Sequence, residues 1–275
     1  MPSRFRFQGQ AVGAAGQIRS PFQETIEVQA ASALPDIGGY CSGRSSGFRY
    51  RDILRFDLAQ TVLTGSQCTN CDEKTEPVYS TMIKSTIEGL NVMEMVTADR
   101  IVANIVSTYK LGGNGEPSVK LIGTRFENLR IAGIPVRVDL ATDIFDRFDT
   151  QASFRQAYRS DDEVRRLFEN SDLRRRLPEA PAFVRRWFRD ADQGAEIPST
   201  NGMISTSLVR ALGPASAGIS CWGHVIHVEG FGVIRLAEVD ISQFTRRVTM
   251  LQLDLGCPVE AHLMMCSGED GGTEW

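Results

Sequence analysis

The chain has 275 residues, 42% of them apolar and 23% charged, a balance that supports a sizeable buried core. Its formal net charge of −4 gives no global pull toward nucleic acid or an anionic membrane surface. No stretch is long and apolar enough to cross a bilayer as a helix.

The start, Met1-Pro2-Ser3-Arg4-Phe5-Arg6-Phe7, alternates Arg with Phe and has no apolar run behind it. It reads as a strand rather than a secretory leader, so a cytoplasmic location is expected; a cell-surface or secreted location is the alternative if a leader has been removed. Period-two patterning continues through Ile26, Val28 and Ala30. Phe48, Tyr50, Leu54, Phe56 and Leu58 then share one face, with Arg49, Arg51, Arg55 and Asp57 on the other. That spacing predicts a half-buried strand with a bulge at Asp52.

Residues 78–87, 90–96, 101–109 and 119–126 carry the β-branched residues of strands. Gly112-Gly113-Asn114-Gly115 marks a turn. Residues 129–136 predict a tight hairpin, with Pro135 on an edge because it has no N–H to give a ladder.

Between residues 151 and 192 the pattern changes to a helical insert. Ser160-Asp161-Asp162-Glu163 has the form of a capping box, Pro181 suits a first helical turn, and Phe183 and Trp187 share a helix face. Strands are predicted again over 204–212, 224–229, 231–239, 247–255 and 259–265. Within 247–255 apolar residues occupy both alternating sets, as in a strand buried partly on both faces. The tail Gly268-Glu269-Asp270-Gly271-Gly272 reads as disordered. No repeat of fixed period emerges. The expected fold is therefore mainly β: an antiparallel sandwich or barrel, one domain over residues 1–275, carrying a short helical insert over 151–192.

Two stretches carry a family resemblance. The segments Ile87-Glu88-Gly89-Leu90-Asn91-Val92 and Val96-Thr97-Ala98-Asp99-Arg100-Ile101, followed by residues 126–136, resemble bacterial choice-of-anchor-type β-rich domains over residues 78–140. The resemblance implies an all-β domain, often on the cell surface, and brings no catalytic residue with it. The chain departs from that group in having no visible leader or anchor and in carrying the insert.

The sharpest chemical motif is Cys68-Thr69-Asn70-Cys71. Two thiolates at this spacing suit a zinc knuckle, and Cys41 is a candidate third ligand. A loop with two free thiols, or a local disulfide, is the plainer alternative. Cys221 and Cys257 are expected to be small core residues. His224 and His227 are three apart on a predicted strand, which sends them to opposite faces and argues against a shared metal. Ser205-Thr206-Ser207 is similar to the Ser-Thr-Ser element of ADP-ribosyltransferases, but Glu229, Glu238 and Glu260 stand alone where that chemistry wants a paired acid. No GxSxG, Walker or HExxH motif occurs.

The insert's arginines, Arg174, Arg175 and Arg176 among them, are interleaved with acids, so they form no phosphate-binding patch. Such a mixed array reads first as a solvated helix face; together with Phe183, Trp187 and Phe188 it also suits contact with a protein partner or a second copy of the chain. The sequence thus points to a non-catalytic β scaffold that acts through protein contact or self-association. The competing expectation is an enzyme assembled from scattered residues, with Ser205, His224 and Glu229 as its members, in the manner of an ADP-ribosyltransferase or hydrolase.

Overall fold

The structure, a computed structural model, describes residues 5–68, 77–110, 116–148, 150–169, 203–213, 218–256 and 258–274. Its elements begin with β1 (Phe5–Arg6), β2 (Gly9–Ser20), β3 (Glu24–Gln29), β4 (Ser32–Ala33), β5 (Gly39–Tyr50) and β6 (Leu54–Cys68). Two long strands follow, β7 (Val78–Val92) and β8 (Val96–Lys110). Short strands β9 (Ser118–Lys120), β10 (Arg125–Glu127), β11 (Arg130–Ile131), β12 (Ile134–Pro135) and β13 (Arg137–Leu140) lead to helices α1 (Ile144–Arg147), α2 (Gln151–Ser160) and α3 (Asp162–Glu169). The last group is β14 (Ile204–Ser207), β15 (Val209–Gly213), β16 (Ile219–Trp222), β17 (Val225–Val228), β18 (Gly232–Ile241), β19 (Thr245–Gly256), β20 (Glu260–Gly271) and β21 (Thr273–Glu274).

Among the described residues β1 pairs with β21 and β13 with β15 in two-stranded ladders, while most of these strands form two large antiparallel sheets. The first runs β12-β11-β8-β7-β6-β5, with β9 and β10 also on β8; the second runs β16-β17-β18-β19-β20-β2-β3, with β14 on β18 and β4 on β2. Strands β2 and β20 of the second sheet face β6, β7 and β8 of the first, making a sandwich. Leu63, Ile83, Ile87, Ile101 and Ile105 meet Ala14, Leu251, Leu263 and Met265 in one core, all fully buried. The sheets approach closely where Gly268 faces Ile83: a Cβ there would lie 3.0 Å from its Cγ2.

A transverse kink crosses each sheet. In the first, pairing stays in register on either side of Gly47, Asp57, Gly89 and Asp99, but these four residues are themselves unpaired. In the second, Gly13, Ala237, Met250 and Cys266 form the equivalent file. Every second strand passes the file in the left-handed region, with φ of 62° at Gly47, 64° at Gly89, 50° at Ala237 and 56° at Cys266. The inward set changes phase at each file, so Leu263 and Met265 face the core before it and Gly268 and Asp270 after it. This explains the apolar residues on both sets of β19: Leu251, Leu253 and Leu255 point inward on one side of the kink, Val248 and Met250 on the other.

Several sequence expectations need correction. Residues 48–58 are not one strand but a hairpin, β5 and β6, with Arg51-Asp52-Ile53 as its turn. Phe48 lies opposite Phe56 and stacks on it at 5.0 Å. A tight antiparallel turn keeps Phe48, Tyr50, Leu54 and Phe56 on one face, so the spacing alone cannot separate the two cases, whereas Leu58, beyond the file residue Asp57, falls on the other face. Residues 90–96 hold the β7–β8 turn rather than a strand, and 119–126 divides into β9 and β10. The tail over 268–272 is ordered: residues to Gly271 belong to β20, and Asp270 is 1% exposed. Pro135, as expected, sits on the edge strand β12.

Helices begin at Ile144, ahead of the expected start at 151. Ser160 closes α2, and Asp161 is the residue that caps α3, its carboxylate accepting from the Glu163 and Val164 N–H groups at 2.8 and 3.0 Å. The capping box belongs to α2, where Thr150 and Ser153 exchange bonds at 3.0 Å. Ile144, Phe145, Phe154, Ala157, Tyr158 and Val164 are buried in the common core, and Arg210 of β15 bridges Asp143 and Glu163, each at 2.8 Å. The described helices are thus docked on the sandwich.

Candidate functional site

The kink at Ala237 brings side chains three residues apart onto one face. Arg235 and Glu238 both lie on the outer side of the second sheet, where an unbroken strand would oppose them. There they join a continuous array. Arg235, 5% exposed, sits 3.5 Å from Glu238 and 3.0 Å from Asp254. His224 Nε2 is 3.3 Å from Glu238 Oε1, Gln252 donates to Glu238 Oε2 at 2.7 Å, and His262 Nδ1 is 2.8 Å from Asp254.

Arg235 and the two imidazoles surround the carboxylates of this array. Burial by itself would raise the Glu238 carboxyl, but the hydrogen bond from His224 and the His224 and Arg235 charges outweigh it and hold the group below its ordinary value. Asp254 follows the same pattern: burial raises it, and the His262 hydrogen bond with the Arg235 charge brings it below normal. Both oxygens of each carboxylate are engaged within the array.

The residues proposed for an enzyme are not assembled as expected. His224 meets Glu238, whereas Glu229 lies in the turn after β17. Ser205 donates to Asp240 at 2.6 Å on the exposed outer face, and Ser207 donates to the Leu236 carbonyl at 2.7 Å. His227 lies directly opposite Val233 on β18.

The zinc reading of the cysteines also needs correction. Cys68 is disulfide-bonded, so its sulfur is not available as a thiolate ligand. Cys41 is opposite Leu63, five residues from Cys68 along β6, or about 17 Å at strand rise. Among the described residues no group of three or more His, Cys, Asp and Glu side chains is placed to hold a metal. Cys221 is half-buried and free, in line with a small packing residue. Cys71 and Cys257 lie outside the described residues, as do Arg174, Arg175, Arg176, Phe183, Trp187 and Phe188.

The first sheet ends in an open edge. Strand β5 pairs with β6 on one side and with no other strand among the described residues. Its inner face rests on the β3–β4 connection: Ser45 Oγ donates to Gln29 at 2.7 Å, and a Cβ on Gly43 would lie 2.6 Å from the Ala31 carbonyl. Its outer face shows Tyr40, Ser42, Arg44, Ser46 and Arg49, all exposed, beside Ile37 at 91% exposure. The strand contains two arginines and no acidic residue. Nothing in the sequence marked this as an edge, because edge position is a property of topology.

These features define a mainly β, antiparallel two-sheet sandwich with short docked helices. The chain belongs to a domain family of unknown function, DUF8256, whose model matches residues 5–242. The match takes in the described helices and stops ahead of β19 and β20. Comparison with curated proteins and with solved structures finds no match in either. Among the described residues no helix is long and apolar enough to cross a membrane.

Proposed function

We propose that this chain is a non-catalytic β scaffold that acts through protein contact. The observation that carries the reading is the β5 edge: twelve residues, paired on one side among the described residues, without proline. Such an edge offers backbone donors and acceptors to an incoming strand unless it is blocked by proline, inward charge or a covering element. Arg44, with Arg49 beside it in an exposed pair with Asp52 at 2.5 Å, selects the partner. Two copies paired through β5 would bring arginines together, which disfavours self-association, whereas an extended acidic segment is complementary.

The charged array on the other sheet is consistent with this. Its carboxylates are held by Arg235, His224 and His262, an arrangement that fixes side chains on a sheet face. An enzymatic reading has one observation in its favour, the His224–Glu238 contact, since a carboxylate that orients an imidazole is a recurring part of general-base chemistry.

The test is fluorescence anisotropy with labelled acetyl-(Val-Glu)4 and acetyl-(Val-Lys)4 peptides, alongside light scattering of the chain alone. The acidic peptide binds and the basic one does not, and the R44E/R49E double variant loses the acidic peptide. Absence of binding with an unchanging monomer mass overturns the reading. A dimer that R44E/R49E alters identifies a second copy as the occupant of the edge instead.

A further inference from the structure

The least expected group in the core is a carboxyl. Asp270, on the inner face of β20, is 1% exposed and lies directly opposite Arg246 of β19, also 1% exposed. From the facing sheet, the Tyr109 hydroxyl of β8 donates to Asp270 Oδ2 at 2.5 Å, and the hydroxyls of Thr81 on β7 and Ser107 on β8 lie beside the same carboxyl. Arg246 also reaches Glu116, in the segment after β8, at 3.4 Å. Its Nη1 donates to the carbonyls of Ser242 and Thr245. Glu116 in turn accepts from the backbone N–H of Gln151, the first residue of α2, at 2.5 Å. Strand β2 contributes Gly9 opposite Asp270, so no charge enters from that side.

We propose that Asp270, Arg246 and Glu116 form a latch in which one guanidinium serves two carboxyl groups, so that ionisation of Asp270 draws Arg246 off Glu116 and loosens the helical segment Glu116 holds. The argument is one of charge count. A buried guanidinium balances one carboxylate, and a second carboxylate in the same dry space is destabilising unless it keeps its proton. With Asp270 neutral, Arg246 and Glu116 are matched and α2 is anchored at its first N–H. With Asp270 ionised, a second carboxylate, opposite Arg246 in strand register, competes for the cation that Glu116 holds at 3.4 Å. Glu116 is then left at the helix end with less of its counter-charge.

The pH at which this operates follows from the surroundings. Burial pushes the Asp270 carboxyl up to about 6, against the lowering effects of Tyr109, Ser107, Arg246 and Thr81. The device is distinct from the edge-strand reading, since it lies in the core between β8 and β20 and needs no partner.

Hydrogen exchange of the full chain tests it, with the amides of residues 151–160 followed near pH 5 and near pH 8 and corrected for intrinsic rates. In the wild type, protection falls by about tenfold or more at the higher pH. In D270N, which cannot ionise but still accepts from Tyr109, protection stays at the higher level at both. An equal fall in D270N, or no fall in the wild type, overturns the latch. Should D270N not fold, E116Q decides: it shows the lower protection at both pH values, and retained protection with a wild-type fall overturns the proposal.

Discussion

The Tyr109 hydroxyl and the Asp270 carboxylate join the two sheets by a 2.5 Å hydrogen bond made in the core. The same hydroxyl accepts from the Gly272 N–H at 2.9 Å, so it also fixes the chain just beyond β20. Burial, then the Asp270 charge, holds the phenol proton well above the usual tyrosine range, and the hydroxyl stays a donor at every working pH. Y109F removes that donor without creating a large cavity. The expected cost is about 2 kcal/mol, the penalty for leaving a buried polar group unpaired, read as a lower urea midpoint with unchanged m-value.

Asp270 also predicts a pH dependence of stability. Its folded-state carboxyl, at about 6, lies above the ordinary aspartate value of roughly 3.9, so the native state holds the proton more tightly than the unfolded chain. Stability is therefore greatest from this group at low pH, falls as pH rises between about 4 and 6, and is level above that. The total is of order 3 kcal/mol, about two pH units at 1.36 kcal/mol each. D270N flattens this part of the curve when ΔG of unfolding is measured across the range. The Glu238 and Asp254 carboxyls, both held low, act in the opposite sense: their contribution is present above the unfolded value and is lost as pH falls below it.

Two glycines of one kink separate backbone conformation from crowding. At Gly89 a Cβ would fall 2.1 Å from Asp57 Oδ2, and φ is 64°; at Gly47 φ is 62° and nothing lies within 4 Å. G47A should cost about 1 kcal/mol, the left-handed penalty alone. G89A should cost about 2–3 kcal/mol, because Asp57 must also move. Equal costs in chemical denaturation would show that Asp57 yields freely.

The thiols should react in an order set by packing. Cys266 is buried, bonds to the Ser85 carbonyl at 3.0 Å, and is pushed up to about 12 by burial. Burial also raises Cys221. Native alkylation at pH 8 should label half-buried Cys41 first, Cys221 more slowly and Cys266 only on unfolding, with Cys68 reactive after reduction. Early modification of Cys266, mapped by peptide mass, would mean that the sheets separate locally.

Most of the strands were legible because period-two alternation is a direct record of one buried face. Legibility failed where the alternation changed phase. Met250-Leu251 read as apolar on both faces, and only the kink shows that the pair straddles a switch of the inward set. Asp270 was lost to composition: Gly268, Gly271 and Gly272 suggest a loose tail, yet those glycines allow close packing against Ile83, Thr245 and Phe5. His224 was noticed but given the wrong acid, since Glu229 is near in sequence and Glu238 is near in space.

The transverse files have a consequence for how this chain can vary. Each is a line defect shared by neighbouring strands, and it remains coherent only while every strand crosses it at the same level. Removing one residue from β7 near Gly89 would displace its crossing relative to both β6 and β8 and turn its inward residues outward over half its length. Length changes are thus confined to the turns, and a shift of the defect itself requires matched changes in four strands at once.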